Sequence, residues 1–111
     1  DGKAVEVGPL ARMVIGYVKG DERITKYVGN FLKRADLPVT VLFSTVGRTA
    51  ARAIETELMG DIMVEWVDEL AKNAAGGDLS TWSEFDFDEV AADCKGAGLA
   101  EAPRGALGHW V

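Results

Sequence analysis

The sequence predicts a mainly α fold: a helical bundle segment with one very long central helix and an extended C-terminal stretch. Three observations carry this expectation. Apolar residues recur at helical spacing through three successive segments. Glycine or proline stands at each junction between them. Beyond residue 75 the period is lost, and glycine, serine, aspartate and aromatic residues take over.

The first helix is expected over 9–19, where Leu10, Met13, Val14, Tyr17 and Val18 follow Gly8-Pro9. Proline suits a first turn because the N–H it lacks is unpaired there anyway. Gly20 ends this helix and Asp21 caps the next, over 22–35. Its face is Ile24, Tyr27, Val28, Phe31 and Leu32, with Lys33 and Arg34 at the negative end of the helix dipole.

Pro38 opens the long segment, 38–75. In it Leu42, Val46, Ala50, Ala53, Ile54, Leu58, Ile62, Trp66, Leu70 and Ala74 keep a helical period up to Gly76-Gly77. One continuous helix and two helices broken near Gly60-Asp61 both fit. A mean helix has about 11 to 12 residues, so this one suits the spine of a larger bundle.

Residues 78–95 read as a loop that tucks Trp82, Phe85, Phe87 and Val90 inward, with a short helix. Gly96-Ala97-Gly98 reads as a flexible turn, and 99–111 as extended, with Ala106 to Val111 able to begin a strand. The first residues, Asp1-Gly2, include no initiator methionine, and the last, Trp110-Val111, are apolar. Both ends therefore read as cut, and 1–111 as a single fragment of a larger helical subunit.

Composition narrows the function. Of the 111 residues 48% are hydrophobic and 27% charged, ordinary values for a globular chain. A formal net charge of −6 disfavours nucleic acid or an anionic membrane as partner, since neither releases counterions to an acidic surface. The single cysteine, Cys94, cannot form an internal disulfide, and the single histidine, His109, cannot build a zinc or haem site alone. No signal sequence or transmembrane run of about 20 apolar residues is present in these residues.

Several short patterns lead nowhere. Arg48, Arg52 and Glu55 share one helical face, where Arg52 can pair with Glu55 across a turn, a solvated or inter-helix contact. Asp86, Asp88, Glu89 and Asp93 lack the glycine and terminal glutamate of a calcium loop. Gly96-Ala97-Gly98 lacks the third glycine of a dinucleotide fingerprint. No serine sits in a nucleophile elbow, and Cys94 reads as a small core residue.

The stretch "EAPRGALGHW" at 101–110 differs. Pro103 fixes its own φ and biases Ala102 towards an extended conformation, so Arg104 stands on a stiff base. Gly105 and Gly108 permit close backbone approach beside it. A guanidinium mounted this way offers a permanent charge and five donors in a fixed fork, a means of holding an anion or anionic ligand at a set distance. The plainer alternative is a turn with Arg104 on the surface and Trp110 in the core.

Together with "EVGPLAR" at 6–12 and "LFSTVGRTAARAIE" at 42–55, this stretch resembles signature segments of the large subunit of uptake-type nickel-iron hydrogenases. The resemblance covers essentially the whole chain. It implies an active centre of nickel and iron bridged by cysteine thiolates, with carbon monoxide and cyanide on the iron. The family's two Cys-x-x-Cys motifs, which supply those thiolates, are not among these residues, so the resemblance implies no direct metal ligand here.

By the same resemblance Arg104 is the catalytic candidate, poised over the open face of the metal pair, and Ala102, Pro103 and Arg104 pack against the diatomic ligands. Glu6, Arg12, Arg48 and His109 match the pattern with structural or surrounding roles. The implied reaction is reversible oxidation of H2 to protons and electrons. The implied partners are the rest of the large subunit and an iron-sulfur small subunit, and the implied location is periplasmic, or membrane-associated through that partner. The fragment by itself is expected to be inactive. Two alternatives stay open: a helical structural or interaction segment without chemistry, and the related quinone-reducing subunit of respiratory complex I.

Overall fold

The computed structural model describes residues 2–90 and 93–111. Three α-helices, α1 (Pro9–Lys19), α2 (Glu22–Ala35) and α3 (Thr45–Ala75), precede two strands, β1 (Ala97–Ala102) and β2 (Gly105–Trp110). Short 3-10 segments lie at Val39–Phe43 and Phe87–Glu89. The fold is mainly α with one long helix.

Local chemistry sets each helix boundary. Pro9 starts α1, and Gly20 ends it in the left-handed conformation, its N–H reaching the Gly16 and Tyr17 carbonyls. The Asp21 carboxylate accepts the Ile24 N–H at 2.9 Å, capping α2. Asp36 closes α2 at φ 54°, a conformation aspartate tolerates better than most residues, and the Leu37 N–H returns to the Leu32 carbonyl.

The third helix starts seven residues later than the sequence pattern indicated. Val39, Thr40 and Val41 are β-branched and lose side-chain freedom in an α-helix, so they wind more tightly as part of the 3-10 segment. Ser44 then caps α3: its Oγ accepts the Gly47 N–H at 2.9 Å and donates to the Val41 carbonyl at 2.8 Å. A Cβ at Gly47 would lie 2.3 Å from the Val41 carbonyl oxygen, so only glycine lets the two segments meet. From there α3 continues unbroken through Gly60, since an internal glycine costs only about 1 kcal/mol.

The core consists of Leu10 and Met13 from α1, Val28 and Leu32 from α2, Leu42 from the 3-10 segment, and Ala51, Ile54 and Leu58 from α3. The expected α3 face is therefore only partly right. Val46, Trp66 and Leu70 are 79%, 57% and 67% exposed, and the buried row runs instead through Gly47, Ala51, Ile54 and Leu58. Length explains Trp66 and Leu70: at 1.5 Å per residue α3 spans about 46 Å and α2 about 21 Å, so the shorter helices, whose contacts run to Asp61 and Glu65, leave the last third of α3 uncovered.

The segment 78–95 also departs from expectation. Trp82 and Phe85 point outward, Cys94 is exposed, and the short helix is a three-residue 3-10 turn. Among the described residues the buried core runs from Leu10 to Leu58, and Trp82 lies outside it. Residues 91 and 92 and the Phe87 side chain lie outside the described set. The stretch expected to be extended, 99–111, with a strand able to begin at Ala106, is most of an antiparallel hairpin with Ala97 opposite Trp110 and Ala102 opposite Gly105. Gly98 is thus a strand residue, and Trp110 is exposed rather than core. Pro103 and Arg104 make the turn.

Candidate functional site

The hairpin turn packs against the residues that lead into α1. Gly8 has φ 104°, and a Cβ there would lie 2.7 Å from the Arg104 carbonyl oxygen. Opposite it, a Cβ on Gly105 would lie 2.5 Å from Val7 Cγ2. The 6–12 and 101–110 stretches, at opposite ends of the sequence, therefore meet backbone to backbone, and glycine on each side makes the approach possible.

Arg12 locks this junction. Its Nε and Nη2 donate to the two oxygens of Glu55 on α3 at 2.5 and 2.8 Å. Nη1 donates to Glu101 Oε1 at 2.5 Å and to the Ala102 carbonyl at 3.0 Å. Nη2 also donates to the Pro103 carbonyl at 2.9 Å. All five N–H donors of the guanidinium are thereby engaged. The bond to Glu55, followed by that to Glu101, raises the Arg12 pKa above its already high ordinary value.

A second bidentate pair, of opposite polarity, straps the N-terminal residues along α3. Arg48 donates to Glu6 through Nε at 2.7 Å and Nη2 at 2.6 Å, and through Nη1 to the Phe43 carbonyl at 2.8 Å. Hydrogen bonding from Arg48 holds the Glu6 carboxyl below the usual carboxylate range.

Between α3 and the turn lies a cleft of about 580 Å³, lined by Arg12, Arg52, Glu55, Thr56, Met59 and residues 101–104. Three arginines face two carboxylates there, so one positive charge is uncompensated in a chain whose net charge is −6. Arg12 is saturated by its partners. The Arg104 and Arg52 guanidiniums make no hydrogen bond or ion pair among the described residues, and both are exposed. Arg104 thus lines the cleft with its donors unspent, while Ala102 and Pro103 contribute apolar wall and give their carbonyls to Arg12.

The other candidates are dispersed. His109 is exposed on β2 opposite Gly98, and Cys94 is exposed and not among the residues that line the cleft. Among the described residues no three His, Cys, Asp or Glu side chains converge on a common point. The expected Arg52–Glu55 pair does not form, because Glu55 is taken by Arg12. Sequence reasoning missed the joint role of Arg12, Glu55 and Glu101. A signal was present: they are the last residue of the 6–12 stretch, the last of 42–55 and the first of 101–110.

These features belong to a known class of protein. The family described as nickel-dependent hydrogenase matches residues 1–111, and the chain belongs to that family. It is 45% identical to the uptake hydrogenase large subunit of Bradyrhizobium diazoefficiens and 46% identical to that of Rhodobacter capsulatus, with 99% of this chain aligned in each case. Against the hydrogenase-1 large chain of Escherichia coli identity is 40%, again over 99% of the chain. The chain spans 19% of the length of each of these relatives. No helix among the described residues is long and apolar enough to cross a membrane.

Proposed function

We propose that these residues form part of the large catalytic subunit of a nickel-iron hydrogenase that reversibly oxidises H2 to protons and electrons, and that Arg104 is its catalytic residue in this region. The observation that carries the reading is the unpaired Arg104 guanidinium, mounted on a clamped turn at the edge of a locally positive cleft. Uncompensated positive charge with apolar walls, and no converging metal ligands among the described residues, fits the anionic ligand sphere of a metal centre rather than the metal itself. Ala102, Pro103 and Arg104 are the residues that would line such a centre, including the carbon monoxide and cyanide on its iron.

A nickel-iron centre held by the parent subunit would supply the chemistry of heterolytic H2 cleavage. The chain's own residues do the rest. Arg104 presents a fixed positive charge and donors where negative charge gathers, the role of a preorganised electrostatic group. A guanidinium stays protonated in proteins, which favours this role over proton abstraction. Pro103, Ala102 and Met59 give one side of the cleft an apolar lining. The parent subunit would pass electrons to an iron-sulfur small subunit and lie in the periplasm or at the membrane through that partner.

The experiment is Arg104→Lys in the full-length subunit assembled with its partner, with nickel and iron quantified. H2 oxidation is expected to fall roughly 100- to 1,000-fold with metal content retained, the loss typical of removing one preorganised donor. Activity near wild type with the metal intact overturns the assignment. Intact mass with metal analysis checks the frame itself: about one nickel per full-length chain is expected, and a metal-free protein leaves only a helical interaction segment.

A further inference from the structure

We infer that Arg12 is a positioning residue for Arg104, acting through the Ala102 and Pro103 carbonyls that precede it; the inference rests on the functional reading of Arg104 given above. The argument begins with peptide planarity. The Pro103 carbonyl belongs to the peptide that ends at the Arg104 nitrogen, so holding that oxygen fixes the plane from which Arg104 departs. Arg12 Nη2 holds it at 2.9 Å. On the other side, the Arg104 carbonyl belongs to the peptide leading to Gly105, and it rests on Gly8, where no Cβ could fit. Both planes bordering Arg104 are thus set by residues four apart at the start of α1.

The turn needs such outside support. Tight two-residue hairpins usually place both central residues at positive φ, which matches the twist of their strands. Neither Pro103 nor Arg104 does so; Gly105, at φ 148°, rejoins the strand instead. With only two strands and the β1 side chains almost all exposed, the hairpin has little core of its own to hold the turn.

Arg12 is in turn anchored at a fixed point. Glu55, with a side chain 13% exposed, receives the bidentate pair from Nε and Nη2, while Glu101 takes one donor of Nη1. That leaves one donor on each Nη for the Ala102 and Pro103 carbonyls. The geometry matches a guanidinium alone: five acceptor contacts converge, and a lysine ammonium offers three donors from a single nitrogen. Arginine is therefore required at position 12 for its fork, beyond its charge.

The test is a double-mutant cycle in the full-length subunit assembled with its partner, using Arg12→Lys, Arg104→Lys and the double variant, with kcat and KM for H2 oxidation at constant metal content. Arg12→Lys is expected to lower kcat about 10- to 100-fold with KM little changed, the usual effect of misplacing a group by a fraction of an ångström to one ångström. If Arg12 acts through Arg104, the double variant is no slower than the slower of the two single variants. Multiplicative losses, or a wild-type rate in Arg12→Lys, overturn the inference while leaving the Arg104 assignment standing. A wild-type rate in Arg104→Lys instead removes the functional reading on which both rest.

A second readout does not depend on turnover. Amide hydrogen exchange across 97–110 in the full-length subunit is expected to rise at least about 10-fold in Arg12→Lys and to stay at the wild-type rate in Arg104→Lys. Unchanged exchange in Arg12→Lys means that the turn is held without Arg12 and overturns the inference. Should Arg12→Lys fail to assemble, Glu101→Gln, which weakens one exposed contact, is expected to give the same pattern at reduced amplitude, and its absence counts equally against the inference.

Discussion

The Arg12 guanidinium meets the Glu55 carboxylate edge to edge, Nε to Oε1 and Nη2 to Oε2, and so fastens α1 to α3 across 43 residues of sequence. The pair is worth more than a surface ion pair because it is bidentate and partly buried, and because its remaining donors carry the hairpin. Glu55→Gln keeps the shape but removes the charge and replaces one acceptor with a donor. It is expected to lower the unfolding free energy by roughly 1–3 kcal/mol in urea titrations, the cost of leaving a charged group short of a partner. No change in the urea midpoint would show that Arg12 is held by the hairpin alone.

Gly8→Ala addresses the same junction without touching a charge. The new methyl would meet the Arg104 carbonyl, and φ 104° is strained for any residue with a Cβ. The loss expected is about 1–3 kcal/mol, with the hairpin amides exchanging faster than those of α2. Gly20→Ala serves as the contrast, because it has a positive φ but open space around its Cβ, so its hairpin exchange should match wild type.

Tyr27 donates its hydroxyl hydrogen bond to Asp61, and this bond raises the Tyr27 pKa above its ordinary value of about 10. A raised pKa means that the contact stabilises the fold fully below that ordinary value, and that the contribution is lost as pH rises through the higher folded value. Ultraviolet titration should show Tyr27 ionising later in the native chain than in Asp61→Asn. Identical curves would dismiss the contact as a determinant.

Glu6 gives the opposite sign. Its folded pKa lies below the ordinary value of 4.5 because Arg48 bonds the carboxylate, so the contribution is present above that value and is lost as pH falls through the folded one. The pair is exposed, and added salt should weaken it. Carboxyl titration by NMR is expected to return Glu6 to its ordinary range in Arg48→Gln. A titration curve unchanged by that substitution would contradict the assignment.

The unburied half of α3 predicts a contrast in stability. Met59, Met63, Trp66, Val67 and Leu70 are exposed and, three or four residues apart, share the helix face that lines the cleft further up. Replacing Trp66 and Leu70 by glutamate should leave the unfolding free energy of this chain within about 0.5 kcal/mol of its original value, as for surface positions generally. Leu58→Ala, in the core, should cost roughly 2–5 kcal/mol. Equal losses at the two places would mean that the stripe is packed within this chain.

What the sequence determined by itself was local. The ends of α1 and α2, the Asp21 cap, the Gly20 stop and the stiffness of Pro103-Arg104 all follow from dihedral preferences and hydrogen bonds within a few residues. The start of α3 was also written locally, in the Val39–Val41 run and the Ser44 cap, but the hydrophobic period masked it. Partnership was settled only in three dimensions. A period marks a face as apolar without saying how far its neighbours reach, so Trp66 and Leu70 read like Leu58 although α1 and α2 end short of them. Likewise Arg52 stood near enough in sequence to claim Glu55, yet the tertiary fold brought Arg12 to it with better geometry and left Arg52 facing the cleft beside Arg104. Helical spacing fixes which side chains can meet within one helix; which distant one arrives first depends on how the helices pack.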